Sequence, residues 1–190
     1  MGAQANVGFS VVRFSDLGIG QDLVQSLWEE GIKEPFEVQI EAIPPAMDGK
    51  DICCRAPTGS GKTLAFGLPL IERTSKAESK RPTSLVLTPT RELAEQIRNV
   101  LDPLAANYGM DVLSVYGGTS YGKQRSGLDR GVEILVACPG RLLDLMEKGA
   151  LTLEDVEIVV LDEADRMADM GFMEPVCDII ESCGKKPQMI

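Results

Sequence analysis

Apolar and polar positions along this chain change period with unusual regularity. Nearly continuous apolar runs stand at DICCRA (51–56), SLVLTP (84–89), DVLSVY (111–116), VEILVAC (132–138) and VEIVVLD (156–162). A strand solvated on one face alternates apolar with polar residues, whereas a strand covered on both faces does not. These runs therefore predict strands of a buried, mostly parallel sheet. Between them lie segments with helical apolar spacing: KTLAFGLPLIER (62–73), RELAEQIRNVLDPLAANY (91–108), YGKQRSGLDR (121–130), RLLDLMEK (141–148) and EPVCDIIESC (174–183). Strand and helix in alternation predict an α/β fold, a doubly wound sheet flanked by helices. Upstream, SDLGIGQDLVQSLWEEG (15–31) reads as one amphipathic helix outside this rhythm, ended by Gly31 and placed to cover core or a site. TSKAESKRPTS (74–84) reads as a loop.

Composition narrows the class. A length of 190 residues fits one domain, and 44% apolar content is that of a globular chain. The apolar runs are strand-length, too short for a membrane span. MGAQANVGFS lacks the basic-then-hydrophobic order of a signal peptide, and Asn6 stands where a myristoylation motif wants Ser or Thr. Residues 1–13 read as a flexible leader. Five cysteines form no C-x-x-C pair and the chain has no histidine, which argues against a zinc site. Their odd count within apolar runs predicts buried, inert thiols in a reducing compartment, with Cys138 set apart by the motif around it. A net charge of −10 argues against a surface coated for nucleic acid. A local basic track is still allowed, because contact charges act within roughly 8–10 Å.

The sharpest chemical signal is APTGSGKT (56–63), between a predicted strand and a predicted helix. Gly59 and Gly61 allow backbone N–H groups to close around phosphate oxygens, and the following helix adds its positive end. Pro57, Thr58 and Ser60 complete the loop. Lys62 supplies a charge to β- and γ-phosphates, and the Thr63 hydroxyl is placed to ligate Mg²⁺. Such a site needs an acid for the metal at a second strand end. IVVLDEAD (158–165) supplies one: Asp162 closes an apolar run, and Glu163 beside it can orient or activate water. The plainer alternatives are a Gly-rich turn with no ligand and an acidic turn opening a helix.

Together these stretches resemble the DEAD-box RNA helicases: A-P-T-G-S-G-K-T at 56–63, P-T-R-E-L-A at 89–94, Gly117-Gly118, C-P-G-R at 138–141 and D-E-A-D at 162–165 occur in the family's order. GIKEPFEVQ (31–39) resembles the family's Q motif, and Phe14 stands at the upstream aromatic position. The resemblance runs from about Phe14 to the end. It implies an N-terminal RecA-like domain over residues 14–190, a P-loop NTPase that uses ATP and Mg²⁺. Lys62, Asp162 and Glu163 would be catalytic, with Thr63 and Asp162 holding Mg²⁺ partly through water. Phe14 would stack on adenine and Gln39 would read its edge. Pro89, Thr90, Arg91, Gly117, Gly118, Cys138, Pro139, Gly140 and Arg141 would grip the RNA sugar-phosphate backbone. Asp165 would pair with a Ser-Ala-Thr strand following Ile190, and a second RecA-like domain would supply arginine fingers and the rest of the RNA groove.

Two positions depart from the family pattern. Phe36 stands where the Q motif has Thr or Ser, and Cys138 replaces a threonine, exchanging a good hydrogen-bond donor for a weak one. The implied function is the ATP-binding half of an RNA helicase that clamps RNA and locally separates a duplex, with weak hydrolysis and no unwinding by this chain alone. The expected protein is monomeric and cytoplasmic, with a nuclear location also compatible. Two other readings are a nucleotide-switched RNA or protein docking clamp without significant hydrolysis, and a P-loop ATPase acting on DNA or other cargo. Trp28, Met167, Met170 and Met173 read as packing residues.

Overall fold

Four apolar runs form the strands β1 (Ser84–Leu87), β2 (Val112–Val115), β3 (Ile134–Ala137) and β4 (Ile158–Leu161), joined by a short β5 (Gln188–Met189). In the computed structural model, which describes residues 12–57 and 59–190, all pair in parallel in the order β2-β3-β1-β4-β5. The continuous apolar character is explained by cover on both faces. Val86, Ile134, Val136, Ile158 and Val160 point into one core, and Leu85, Leu87, Leu135, Ala137 and Val159 into the other.

The first core is closed by α1 (Gln21–Glu29), α2 (Glu37–Met47), α3 (Lys62–Arg73) and α4 (Arg91–Ala106). The second is closed by α5 (Tyr121–Arg130), α6 (Pro139–Glu147), α7 (Ala164–Asp169) and α8 (Met173–Glu181). The strands end in phase. Leu87 lies beside Ala137 and Leu161, and Ala137 beside Val115, so the segments that follow emerge side by side at one edge.

Several expectations are corrected. The run 51–56 is not a strand: β5 is two residues long, and the segment gains from it only Ile52 N–H to Met189 O (2.9 Å) and Met189 N–H to Asp51 Oδ1 (2.9 Å). Residues 53–57 therefore run irregularly. The single helix over 15–31 is instead a 3₁₀ turn, Phe14–Leu17, followed by α1. Gly18 at φ 86° breaks it, and Gly20 N–H is drawn to Glu72 Oε1 (2.6 Å). The 31–39 stretch leads into α2, which went unrecognised because Pro44 and Pro45 interrupt its pattern. Buried Ala42, Ile43 and Ala46 hold α2 against α3 despite the lost N–H groups. The five thiols are not uniformly buried: Cys53, Cys54 and Cys177 are exposed, the first two on the irregular segment, and Cys138 and Cys183 are half-buried. Of the expected leader, residues 1–11 lie outside the described residues, as does Thr58. Among the described residues no helix is long and apolar enough to cross a membrane.

Candidate functional site

A cavity of about 690 Å³ opens beside the ends of β4 and β5. In open parallel sheets the crevice outside the carboxyl ends of the strands is where ligands bind. Its walls bring together Lys62 from the start of α3, the Asp162–Asp165 turn after β4, Val38 and Ala42 of α2, and residues 52–56. The first and last chemical signals of the sequence thus meet in one space.

The loop before α3 is built on two left-handed glycines, Gly59 (φ 82°) and Gly61 (φ 87°). Gly61 is required twice over. A Cβ there would lie 2.5 Å from Gln39 Nε2 and 2.7 Å from Phe36 Cδ2. Ser60 N–H donates to Pro57 O (3.3 Å), closing the turn, while the Ser60 hydroxyl is buried without a hydrogen-bond partner among the described residues. The first turn of α3 carries no acidic residue, so the positive end of the helix is not offset by a carboxylate of its own turn. An orphaned hydroxyl and an unneutralised helix start beside Lys62 fit a phosphate chain.

Asp162 continues β4, its N–H donating to Leu87 O (3.0 Å). Burial pushes its carboxyl above the usual aspartate range, the Lys62 charge opposes that, and Glu163 adds to it. Glu163 adopts φ 54°, ψ 46° at the start of α7, a costly conformation for a residue with a Cβ. Its Oε2 accepts from Arg166 Nη1 at 3.1 Å. Asp165 lines the cavity and is exposed; its Oδ1 accepts from Arg166 N–H at 2.9 Å, and among the described residues it makes no hydrogen bond or ion pair to another segment. Thr63 is half-buried in the first turn of α3. Among the described residues no three His, Cys, Asp or Glu side chains gather to cage a metal. Thr63 and Asp162 offer one hydroxyl and one carboxylate, hard oxygen donors of the kind that suit Mg²⁺ alongside phosphate oxygens and water.

The base-recognition residues are placed differently from expectation. Phe14 is 2% exposed and belongs to the hydrophobic core, so its ring offers no open face. Gln39 is 1% exposed and both ends of its amide are engaged. Oε1 accepts from Phe36 N–H (2.8 Å) and Nε2 donates to Gly61 O (2.9 Å), tying the start of α2 to the phosphate loop.

The nine expected backbone-gripping residues emerge together from β1, β2 and β3. Thr90 caps α4, its hydroxyl accepting from Leu93 N–H (3.3 Å), and Pro89 beneath it is buried. Arg91 is exposed, with Nε donating to Glu92 Oε1 (2.6 Å). Gly117 and Gly118 form an open turn, and Gly140 is exposed behind the buried Pro139. Cys138 precedes α6 with its thiol pushed up to about 11 by burial and by the Glu92 charge. Arg141 is 15% exposed in its side chain and already in use: Nη1 donates to Gln124 Oε1 (2.7 Å) and Thr119 O (3.4 Å), and Nε stands 3.8 Å from Asp144.

Sequence reasoning missed Gln124. It is buried, and its Nε2 donates to Tyr116 O (3.1 Å) and Thr119 Oγ1 (2.6 Å), so it locks the Gly117-Gly118 turn to Arg141. A glutamine within a polar helix carries no signal of such a role. Arg166 was also missed, although its spacing of three residues from Glu163 was visible.

A parallel sheet with a glycine loop leading into a helix, whose first lysine shares one cavity with a strand-end carboxylate, is the architecture of a P-loop nucleotide-binding domain. The chain belongs to the DEAD/DEAH box helicase family, whose model matches residues 36–190. It is 44% identical over 179 residues to "DEAD-box ATP-dependent RNA helicase 9, mitochondrial" of Arabidopsis thaliana, a match covering 92% of this chain and 29% of that protein. It is 42% identical to "DEAD-box ATP-dependent RNA helicase CshA" of Streptococcus pneumoniae, covering 94% and 34%. The chain thus spans about a third of the length of these relatives. The crystal structure of a DEAD box protein from Methanococcus jannaschii superposes with a TM-score of 0.86 at 34% identity, covering 93% of this chain and 48% of that one. Prp28 of Chaetomium thermophilum bound to ADP gives 0.86 at 37% identity, covering 98% and 46%. The fold is accordingly the RecA-like, doubly wound α/β fold.

Proposed function

We propose that this chain is the ATP-binding half of an ATP-dependent RNA helicase. The observation that carries this reading is the convergence of Lys62, Asp162 and Glu163 on one cavity beside a glycine loop with an unneutralised helix start. Gly59, Ser60, Gly61 and Lys62, with Pro57 and Thr58 completing the loop, bind the phosphates. Thr63 and Asp162 would hold Mg²⁺, and the ion when bound would supply positive charge to offset the charge developing on the transferred phosphoryl group. Lys62 stabilises that same charge, and Glu163 positions the attacking water.

Pro89, Thr90, Arg91, Gly117, Gly118, Cys138, Pro139, Gly140 and Arg141 form the RNA-facing edge. Their emergence from three adjacent strands supports this, and contacts through backbone N–H groups and two arginines read the sugar-phosphate chain rather than the bases. Arg141 serves chiefly to hold Gly117-Gly118 in place, as its bonds to Gln124 and Thr119 suggest. A second RecA-like domain completes the groove and supplies the arginine finger, a group worth about 10³–10⁵ in rate. The chain by itself therefore binds nucleotide, hydrolyses it slowly and does not unwind duplexes. A monomeric cytoplasmic protein fits this reading.

The test is RNA-stimulated ATP hydrolysis in a protein carrying both domains. Lys62→Ala and Glu163→Gln each reduce stimulated turnover by at least a hundredfold if the roles hold, on the scale of losing one preorganised catalytic group. Normal turnover in either variant refutes its assignment. Intact nucleotide binding with no RNA-stimulated hydrolysis in the unmodified protein would favour the docking-clamp alternative.

A further inference from the structure

We propose that the open sheet edge along β2 is a docking groove for an extended acidic segment of a partner protein, which joins the sheet as a further strand. β2 pairs only with β3. Asp111 O accepts from Ile134 N–H (3.3 Å) and Val115 O from Cys138 N–H (3.0 Å), so the backbone groups of residues 111, 113 and 115 face β3. Those of Val112, Ser114 and Tyr116, the intervening residues of an extended chain, face outward. The Tyr116 carbonyl is already used, accepting from Gln124 Nε2 (3.1 Å) and Thr119 Oγ1 (3.1 Å). The N–H and C=O of Val112 and Ser114 and the N–H of Tyr116 have no hydrogen-bond partner among the described residues.

A groove of about 440 Å³ runs beside this row, walled by Arg98 and Asp102 of α4 and by Lys123, Gly127 and Arg130 of α5. The α5 wall is set close to the strand, because a Cβ at Gly127 would lie 2.9 Å from Leu113 Cδ2. The row from Val112 to Tyr116 spans about 16 Å, room for a strand of about five residues. Backbone pairing would supply its affinity and the two walls its selectivity.

The walls differ in charge. Arg98 stands 3.8 Å from Glu95 and 3.4 Å from Asp102, so the α4 wall carries its own counter-charges. Lys123 and Arg130 have no ion-pair partner among the described residues. Arg130 donates to Ser126 O (3.2 Å), and its neighbour Asp129 pairs with Lys80 instead (3.3 Å). Two unopposed cations on one wall, in a chain of net charge −10, select a strand whose alternate side chains are acidic. They also reject a second copy of this chain. Two-fold antiparallel pairing of identical edges keeps the faces of the sheet matched, so each α5 would meet its symmetry mate and like charges would face each other. A nucleic-acid backbone suits the cations but offers phosphate acceptors alone, and would leave the outward carbonyls of Val112 and Ser114 unpaired. The groove is separate from the Lys62–Asp162 cavity, and the proposal does not rest on the nucleotide-site reading.

The experiment is NMR titration of the isotope-labelled chain with a capped peptide of alternating threonine and glutamate, about six residues long to match the edge. The expected result is saturable shifts of the Val112, Ser114 and Tyr116 amides, with slower hydrogen exchange at each. Affinity should fall on the order of tenfold in Lys123→Glu and in Arg130→Glu, and by a similar factor when alternate peptide nitrogens are methylated, a change that leaves the protein untouched. Absence of shifts at these three amides overturns the proposal. So does equal binding of a threonine–lysine peptide, or indifference to N-methylation, which would mean a charge contact without strand pairing. Equivalent shifts with oligouridylate would assign the groove to nucleic acid and overturn it as well.

Discussion

Gly59 and Gly61 share a backbone conformation but not a neighbourhood, which makes them a controlled pair. Each adopts a left-handed φ, 82° and 87°. An alanine at either position carries a strain of about 1–2 kcal/mol. A Cβ at Gly59 meets nothing within 4 Å, so strain is the whole cost there. At Gly61 the Cβ also displaces Gln39 Nε2 and Phe36 Cδ2. Moving Gln39 breaks its bonds to Gly61 O and Phe36 N–H in a residue 1% exposed. Unsatisfied buried polar groups cost about 1–3 kcal/mol. Gly61→Ala should therefore destabilise by about 2–5 kcal/mol, roughly 4–20 °C in melting temperature for a chain of this size. Gly59→Ala should lose about half as much or less. Urea unfolding of the two variants against the unmodified chain measures both. Equal losses at the two positions would refute the claim that Gln39 and Phe36 are packed onto the phosphate loop.

Further outcomes follow from the charged and thiol groups. Glu133 is opposed by burial, but the Lys76 ion pair (2.7 Å) and the Asp111 N–H (2.9 Å) outweigh it and hold its carboxyl below the usual glutamate range. The stability it contributes is present above the unfolded-state value and lost as pH falls through the folded one. The stability gap between unmodified chain and Glu133→Gln should close below about pH 4; a gap independent of pH would count against the pairing. Asp162, raised mainly by burial, behaves oppositely: it favours the folded chain below its unfolded value and ceases to as pH rises. Asp162→Asn should raise the melting temperature at pH 7 while abolishing Mg²⁺-dependent hydrolysis, and a lower melting temperature would refute the burial argument. In a thiol-reactivity assay at pH 8, Cys53, Cys54 and Cys177 should react well before Cys138, which burial and the Glu92 charge push up to about 11. Early labelling of Cys138 would contradict its placement.

The architecture was legible because burial on both faces leaves an unmistakable trace: 84–89, 111–116, 132–138 and 156–162 each contain the observed strand within their bounds. Helices α3 and α5 coincide with their predicted limits, since Gly61 and Lys62 mark the start of α3 and Arg130 and Gly131 the end of α5. The failures have separate physical causes. Residues 51–56 have the composition of a strand, but strand formation needs a ladder partner, and composition does not say how far β5 runs. Helix α2 hides behind Pro44-Pro45 because its stability comes from packing on α3 rather than from propensity. Phe14 and Gln39 were found as residues but not as environments. Whether an aromatic ring is core or platform depends on what closes over it, and no spacing rule reveals that. Phe36 was visible as a departure from a pattern, yet its contact with Gly61 joins positions 25 residues apart (61 − 36) and emerges only from the fold.

The central claim is that Lys62, the glycine loop and Asp162 form a nucleotide site, and calorimetric titration of ADP with Mg²⁺ into this chain and its Lys62→Ala variant tests it most directly. The account predicts saturable binding by the unmodified chain, weakened by at least about tenfold when the charge-assisted contact to phosphate is removed. No binding by the folded unmodified chain, or equal affinity in Lys62→Ala, would contradict it.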